Sequence, residues 1–313
     1  MARSWHIANG HLATGEKDGG HVVSLLRLEE ARARPLSHVQ REVLAQLEHA
    51  AIPFLERTPT GAAGLVVTSS GRRRFGFILT ASELALIDDG NTCAPALGRA
   101  VECRAPVDGP AGALCALLRE LLGDHPARLS RMREELELVE QQVLEGHQRP
   151  DRRAMMAGTR QMLGLDTFYQ GMSDLASELA EDDSGLVAPA DRVRLRSLSR
   201  LLGRLSARLE SLQDYGLQVQ SLYQESIDVR QNQVMQWLTV VTTIVMPLTL
   251  VTGWYGMNFP HMALLDAPWG YAAVAVACVV ITAAEIAFFS RRGWLSFGGR
   301  YRNDGRRRDG QTD

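Results

Sequence analysis

The pattern of apolar and polar positions changes character at about residue 126 and again at about residue 234. In residues 1–125 short strand-like runs mix with helical ones. Leu65-Val-Val-Thr68 and Phe75-Gly-Phe-Ile-Leu-Thr80 flank the polar Ser69-Ser-Gly-Arg-Arg-Arg74, which predicts a β-hairpin with Gly71 in its turn. Leu84-Ala-Leu-Ile87, followed by Asp88-Asp-Gly90, predicts another strand and turn. Ser37 to Ala50 and Ala111 to Leu122 carry apolar residues three and four apart, the spacing of a helix face. The segment reads as a small α+β domain.

After Pro126 the pattern is wholly helical. Leu129, Met132, Leu136, Val139 and Val143 mark one helix, ended near Gly146 and Pro150. Ala154 to Ala180 predicts a second, interrupted by the loop Glu181 to Pro189. A third begins near Asp191, a candidate cap. Its Leu195, Leu198, Leu202, Leu205, Leu209, Leu212, Gly216, Val219 and Tyr223 form a heptad seam, which predicts bundle or coiled-coil packing. No proline interrupts Val193 to Val245, so the helix is expected to run on to about residue 253, roughly 95 Å at ~1.5 Å per residue.

Two bilayer-length apolar stretches close the chain, Val234 to Thr252 and Gly270 to Phe289. From Asn232 to Ser290 there is no Lys or Arg, and the only acids are Asp266 and Glu285. The short link predicts a membrane hairpin. Arg291, Arg292 and the further arginines of the tail place both termini in the cytoplasm by the positive-inside rule, with Trp254, Tyr255, Trp269 and Tyr271 at the opposite interface. The domains expected are therefore 1–125, cytoplasmic α/β; 126–233, cytoplasmic helices with the stalk; 234–290, the membrane hairpin (spans at about 234–253 and 270–289); and 291–313, a basic cytoplasmic tail.

Charge and cysteines narrow the classes. The formal net charge of −2 hides a basic tail and an acid-rich remainder. Internal arginines alternate with Glu and Leu at helical spacing, not as a nucleic-acid stripe. Cys93, Cys103, Cys115 and Cys278 show no metal-binding spacing and read as reduced thiols. No P-loop, nucleophile elbow or metal triad points to an enzyme, and no cofactor is expected. Residues 1–20 lack the apolar core of a secretory signal, so targeting falls to the later helices.

Between the two apolar stretches lies Tyr255-Gly-Met-Asn-Phe259. Lipid cannot satisfy its amide groups, so it must face water or a protein-lined cavity. Asn232-x-x-Met235, Leu238-Thr239, Met246-Pro247-Leu248-Thr249, Gly253-x-Tyr255-Gly256-Met257-Asn258-Phe259, Trp269-Gly270-Tyr271 and Arg291-Arg292-Gly-Trp294 follow in order. This set resembles the CorA superfamily of divalent-cation channels, which includes the CorA magnesium channels and the ZntB-like zinc transporters. The resemblance is specific over about 223–294 and weak before that. It implies a funnel-shaped homopentamer in the plasma (inner) membrane, with the long helix of each copy around a central pore. Gly256, Met257 and Asn258 would form the outer filter, Mg²⁺ would be both cargo and regulator, and lipid the only other partner.

The residue types suit that task. A ring of Asn258 carboxamides with Gly256 carbonyls can touch a hydrated Mg²⁺ through its waters without stripping them. Asn232, Met235, Thr239, Thr242, Met246, Thr249 and Gly253 fall at steps of three and four along the first membrane helix, one small and weakly polar face. Met235 and Leu238 would make apolar rings that gate by dewetting. A helix-packing face is the alternative, since Thr and Gly also favour close approach in membranes. Pro247 would kink the helix, as a hinge or as a static bend.

The external loop departs from the family. CorA channels often carry Met-Pro-Glu-Leu after the filter. Here the run is Met262-Ala263-Leu264-Leu265, with Asp266 two residues past the Glu position. Asp266 and His261 are the candidate outer-mouth residues, though a solvated loop histidine is the plainer reading of His261. Glu285, within the second span, reads as structural before it reads as a proton relay. Asp88, Asp89, Asp182, Asp183, Asp214 and Asp228 are candidate acids for a regulatory metal, and none is assigned. Inward Mg²⁺ flow, with Co²⁺ and Ni²⁺ as further cargo, leads. A proton-coupled Zn²⁺ carrier of ZntB type and a non-conducting membrane-anchored scaffold or sensor stay open.

Overall fold

The computed structural model describes residues 3–8, 10–15, 21–145, 151–257 and 269–294. The chain divides into two compact units, Met1–Tyr223 and Gln224–Asp313.

The first unit is built on a seven-stranded sheet of order β2-β1-β3-β7-β6-β5-β4. Its strands are β1 (Arg3–Ala8), β2 (His11–Thr14), β3 (Val22–Leu26), β4 (Phe54–Thr58), β5 (Gly61–Val67), β6 (Arg74–Thr80) and β7 (Glu83–Ile87). Only β3 and β7 pair in parallel; every other neighbour is antiparallel. The expected hairpin is β5–β6, and Gly71 in its turn has φ 67°, a left-handed conformation that suits glycine.

Alternation sorts the central strands between two cores. Phe75, Phe77 and Leu79 of β6, with Leu84 and Leu86 of β7, face the larger core; Ile78, Ala85 and Ile87 face the smaller. The smaller core is closed by α1 (Leu28–Arg32) and α2 (His38–Ala45). Ser37 starts α2 with a capping box, its hydroxyl accepting from Gln40 N–H while the Gln40 side chain accepts from Ser37 N–H. The larger core is closed by α3 (Cys93–Glu102) and α4 (Pro110–Leu121) and continues into α5 (His125–Glu145), α6 (Arg152–Ala180) and α7 (Pro189–Tyr255). Because both faces of β5–β7 are covered, these strands are nearly apolar throughout. The α3 helix and the strands β1 to β4 are not distinct in the sequence pattern. Cys93-Ala-Pro-Ala-Leu-Gly is small and apolar without a clear stripe, and β4 alternates weakly because it is only half-buried.

The heptad seam packs within its own chain. Leu195, Leu198, Leu202 and Leu209 are fully buried with Leu165, Tyr169, Met172 and Leu175 of α6 in one core. Gly216 lies against Leu136 of α5, where a Cβ would touch both Leu136 methyls at 3.9 to 4.0 Å.

Asp191 is not a simple cap of its own helix. It sits in the first turn of α7, but its carboxylate reaches the N-terminus of α4. Asp108 N–H donates to Oδ1 at 3.4 Å, Arg194 donates to the same oxygen, and Arg194 also bonds Asp108. The side chain is fully buried. Burial pushes its carboxyl up, against the opposing pull of Arg194 and the Asp108 amide.

Candidate functional site

Helix α7 carries the chain from the first unit into the second and ends at Tyr255, with Pro247 inside it. Proline has no N–H to give the carbonyl of Thr243, yet the helix continues past it. Both α7 and α8 (Gly270–Arg291) contain 18-residue windows long and apolar enough to cross a membrane, with mean hydropathy 1.8 and 2.3. Trp254, Trp269 and Tyr271 are exposed at adjoining helix ends, as an aromatic belt requires. At the other end of α8, Gly293 has φ 74° and closes the turn, Arg292 stacks on the Phe288 ring at 4.9 Å, and Trp294 packs on Phe289.

The membrane half of α7 has two faces. Trp237, Val240, Ile244, Leu248, Val251 and Tyr255 are covered or half-covered by the rest of the chain. Asn232, Met235, Thr239, Thr242, Met246, Thr249 and Gly253 are all exposed, and Leu238 with them. At 100° per residue the two sets lie on opposite sides of the helix. Met246 is the most open of the large apolar side chains of α7, at 76%.

The threonines add a chemical detail that spacing alone does not reveal. The hydroxyls of Thr239, Thr242 and Thr249 donate to the carbonyls of Met235, Leu238 and Val245, each four residues back. Each proton is thereby directed into the helix, and the lone pairs of Oγ1 are left outward. A hydrated cation presents only water hydrogens at its surface, so a column of outward acceptors is what it can use. Threonine at such positions in an apolar helix is the signal that could have suggested this.

Of the tripeptide Gly256-Met257-Asn258, only the first two residues are described. Gly256 N–H donates to Thr252 O at 2.9 Å, and a Cβ on Gly256 would also stand 2.9 Å from that oxygen, too close for any side chain. Met257 N–H reaches Trp254 O at 3.4 Å, and its side chain is half-exposed. Asn258, His261 and Asp266 lie outside the described residues, as does the 262–265 run.

Several candidate regulatory acids already have structural work. Asp88 is buried and accepts from the N–H groups of Gly90, Thr92 and Cys93, capping α3. Asp89 accepts from Leu28 N–H. Asp182 is buried under Arg57 at 2.9 Å and also accepts from Ser184, while Asp183 faces Arg192 at 3.5 Å. No cluster of three metal-ligating side chains occurs among the described residues. Glu285 is half-buried, and its Oε2 is enclosed without a hydrogen-bond partner among them. Cys93 and Cys115 are buried and their thiols pushed up by burial, Cys115 to about 11; Cys103 is exposed. His125 is a buried residue that the pattern did not single out. It bonds the Tyr169 hydroxyl at 2.9 Å beside the Phe168 ring, and burial pulls it down to about 4.

Residues 96–292, more than half of the chain, match the family described as "CorA-like Mg2+ transporter protein". The chain belongs to this CorA family. It is 28% identical over 185 residues to the cobalt/magnesium transport protein CorA of Thermotoga maritima, a stretch of 58% of this chain and 52% of that protein. The chain thus spans about half the length of that curated relative. Among solved structures it resembles the complete CorA magnesium transporter from Methanocaldococcus jannaschii, with a TM-score of 0.73 at 20% identity over 94% of this chain and 99% of that one. It also resembles the ZntB cytoplasmic domain from Vibrio parahaemolyticus, with a TM-score of 0.59 at 10% identity over 72% and 97%. At these identities the structural likenesses establish the CorA fold, an α+β domain followed by two candidate membrane helices.

Proposed function

We propose that the protein is a divalent-cation channel of the plasma (inner) membrane that admits Mg²⁺, with Co²⁺ and Ni²⁺ as further cargo. Both termini and residues 1–233 lie in the cytoplasm in this reading. Five copies surround a water path lined by Asn232, Met235, Thr239, Thr242, Met246, Thr249 and Gly253. Met235 and Leu238 narrow it at the cytoplasmic end. Gly256, Met257 and Asn258 form the outer filter, and His261 and Asp266 lie at the mouth. The observation that carries the reading is the exposed stripe of α7, opposite the covered face and lined with Thr oxygens whose protons are spent on the helix.

Two membrane helices cannot enclose water alone, so conduction needs several copies about an axis. A dication entering across ~100 mV gains about 4.6 kcal/mol, twice the single-charge value, so no nucleotide is required. Neutral oxygens around the path bind weakly enough to release the ion inward.

The test is a flux panel in proteoliposomes across Mg²⁺, Co²⁺, Ni²⁺ and Zn²⁺ under an inside-negative potential. Mg²⁺ uptake should be present and should fall at least tenfold in Asn258→Ala. Zn²⁺ flux that rises with an inward proton gradient would instead favour a ZntB-like carrier. No flux of any dication would leave a membrane-anchored scaffold.

A further inference from the structure

The hairpin of α5 and α6 carries two exposed stripes of opposite charge. From Glu134 to Glu145, α5 has Glu134, Glu135, Glu137, Glu140 and Glu145 and no Lys or Arg. From Arg152 to Leu163, α6 has Arg152, Arg153 and Arg160 and no acid. Arg153, Met156, Arg160 and Leu163 fall at steps of three and four, and all are exposed. They therefore share one face of α6. Glu134, Leu138, Gln141 and Glu145 make the corresponding exposed face of α5. Four large apolar side chains stand open on these helices: Leu138 at 60%, Leu144 at 65%, Met156 at 55% and Leu163 at 58%.

Neither stripe enters the buried core of its own chain. The buried face of α5 is Leu129, Met132 and Val143; that of α6 is Met162, Leu165, Phe168, Tyr169 and Met172. Glu137 is taken by Arg133, Glu140 accepts from Tyr215, and Glu145 accepts from Gln141 one turn back, which leaves its second oxygen outward. Glu134, Glu135, Arg153 and Arg160 form no ion pair among the described residues.

The two stripes complement each other but not themselves. Acid-plus-apolar would repel a copy of itself, and so would base-plus-apolar. Each fits the other on a second chain. Such a contact is heterologous, and it closes when the copies are arranged about an axis. Apolar positions at heptad spacing, flanked by charges of one sign, are how helices choose a partner and its orientation. His125 at the start of α5 meets Tyr169 well along α6, so the two helices run antiparallel within the hairpin. In a ring whose copies all point the same way, α5 of one copy then meets α6 of the next antiparallel. Glu145 falls near Arg153, and Leu138 near Met156 and Arg160. An anionic lipid surface fits less well, because the acidic stripe next to the basic one would be repelled by it.

We propose that the Glu134-Leu138-Gln141-Glu145 face of one copy docks on the Arg153-Met156-Arg160-Leu163 face of a second copy. This rests on the multi-copy reading above but not on conduction. The test uses the full chain in membranes with Cys103→Ser, which removes the exposed native thiol. Two differently tagged chains are co-expressed, one with Leu138→Cys and one with Met156→Cys, and treated with a short bis-maleimide. A mixed dimer bearing both tags is expected, well above the dimer that either chain forms alone. Arg153→Glu with Arg160→Glu on the Met156→Cys chain should reduce it several-fold. Glu134→Arg with Glu145→Arg on the other chain should restore it. No mixed dimer, or same-chain dimers of equal strength, would overturn the proposal. So would indifference to charge reversal combined with loss of binding to phosphatidylglycerol vesicles, which would assign the basic stripe to lipid. If cross-linking fails while the detergent-solubilised particle keeps a multi-copy mass, this contact falls and the ring stands; a single-chain mass sinks both.

Discussion

Two buried side chains in the first unit show how much a single position can decide. Asp191 fills the space over Gly112 so closely that a Cβ there would lie 2.3 Å from its Oδ1. Gly112→Ala should therefore lower the stability of this unit by about 1–3 kcal/mol, the usual range for overpacking, read as a fall in its thermal midpoint. An unchanged midpoint would mean that Asp191 can move aside without loss. His125 sets a pH limit. Its folded value of about 4 lies below the unfolded 6.5, so the unfolded chain binds the proton first as pH falls. The contribution is constant above about 6.5 and is lost between 6.5 and about 4, by up to about 3 kcal/mol at ~1.4 kcal/mol per unit. Chemical denaturation of His125→Phe across that window should show a flatter acid limb than the parent; equal limbs would place the titration elsewhere.

At the scale of elements, α7 does two different jobs along one helix. Its first part is a leucine seam within the buried core of the first unit, where Leu202→Ala should cost about 2–5 kcal/mol. Its later part keeps the same spacing but turns a Thr-bearing stripe away from the chain. If that stripe conducts, Thr242→Val with Thr249→Val removes outward oxygens at nearly constant volume, and Mg²⁺ flux should drop several-fold. Thr243→Val is the control. It is exposed too, and its hydroxyl donates to Thr239 O, but it lies off the stripe. Equal losses in both variants would indicate a packing effect rather than a lining.

For the whole molecule, the proposed function turns on assembly of several copies. Met235 and Leu238 are exposed in the single chain, at 55% and 58%. Large apolar side chains on one stripe of α7 need either lipid or copies of themselves. If they form a dewetting gate in a ring, shortening them should raise resting dication flux. Met235→Gly or Leu238→Gly proteoliposomes are expected to leak Mg²⁺ several-fold faster, with the particle mass unchanged. Flux at the parental level would remove these residues from the gate.

The longest elements were legible in the chain alone. A heptad run, an 18-residue apolar window and a Gly in a polar turn are local patterns with one cheap solution each, so the α5, α6, α7 and α8 helices and the β5–β6 hairpin stand where periodicity puts them. The family was legible too, because its motifs are contiguous around Gly256. What the tertiary structure decided was non-local. The β3–β7 parallel pairing joins segments about 60 residues apart. Asp191, which looks like a cap of its own helix, instead satisfies the start of α4 about 80 residues earlier. Such choices depend on which groups meet in space and lose their water, and that is fixed only when distant parts of the chain are brought together.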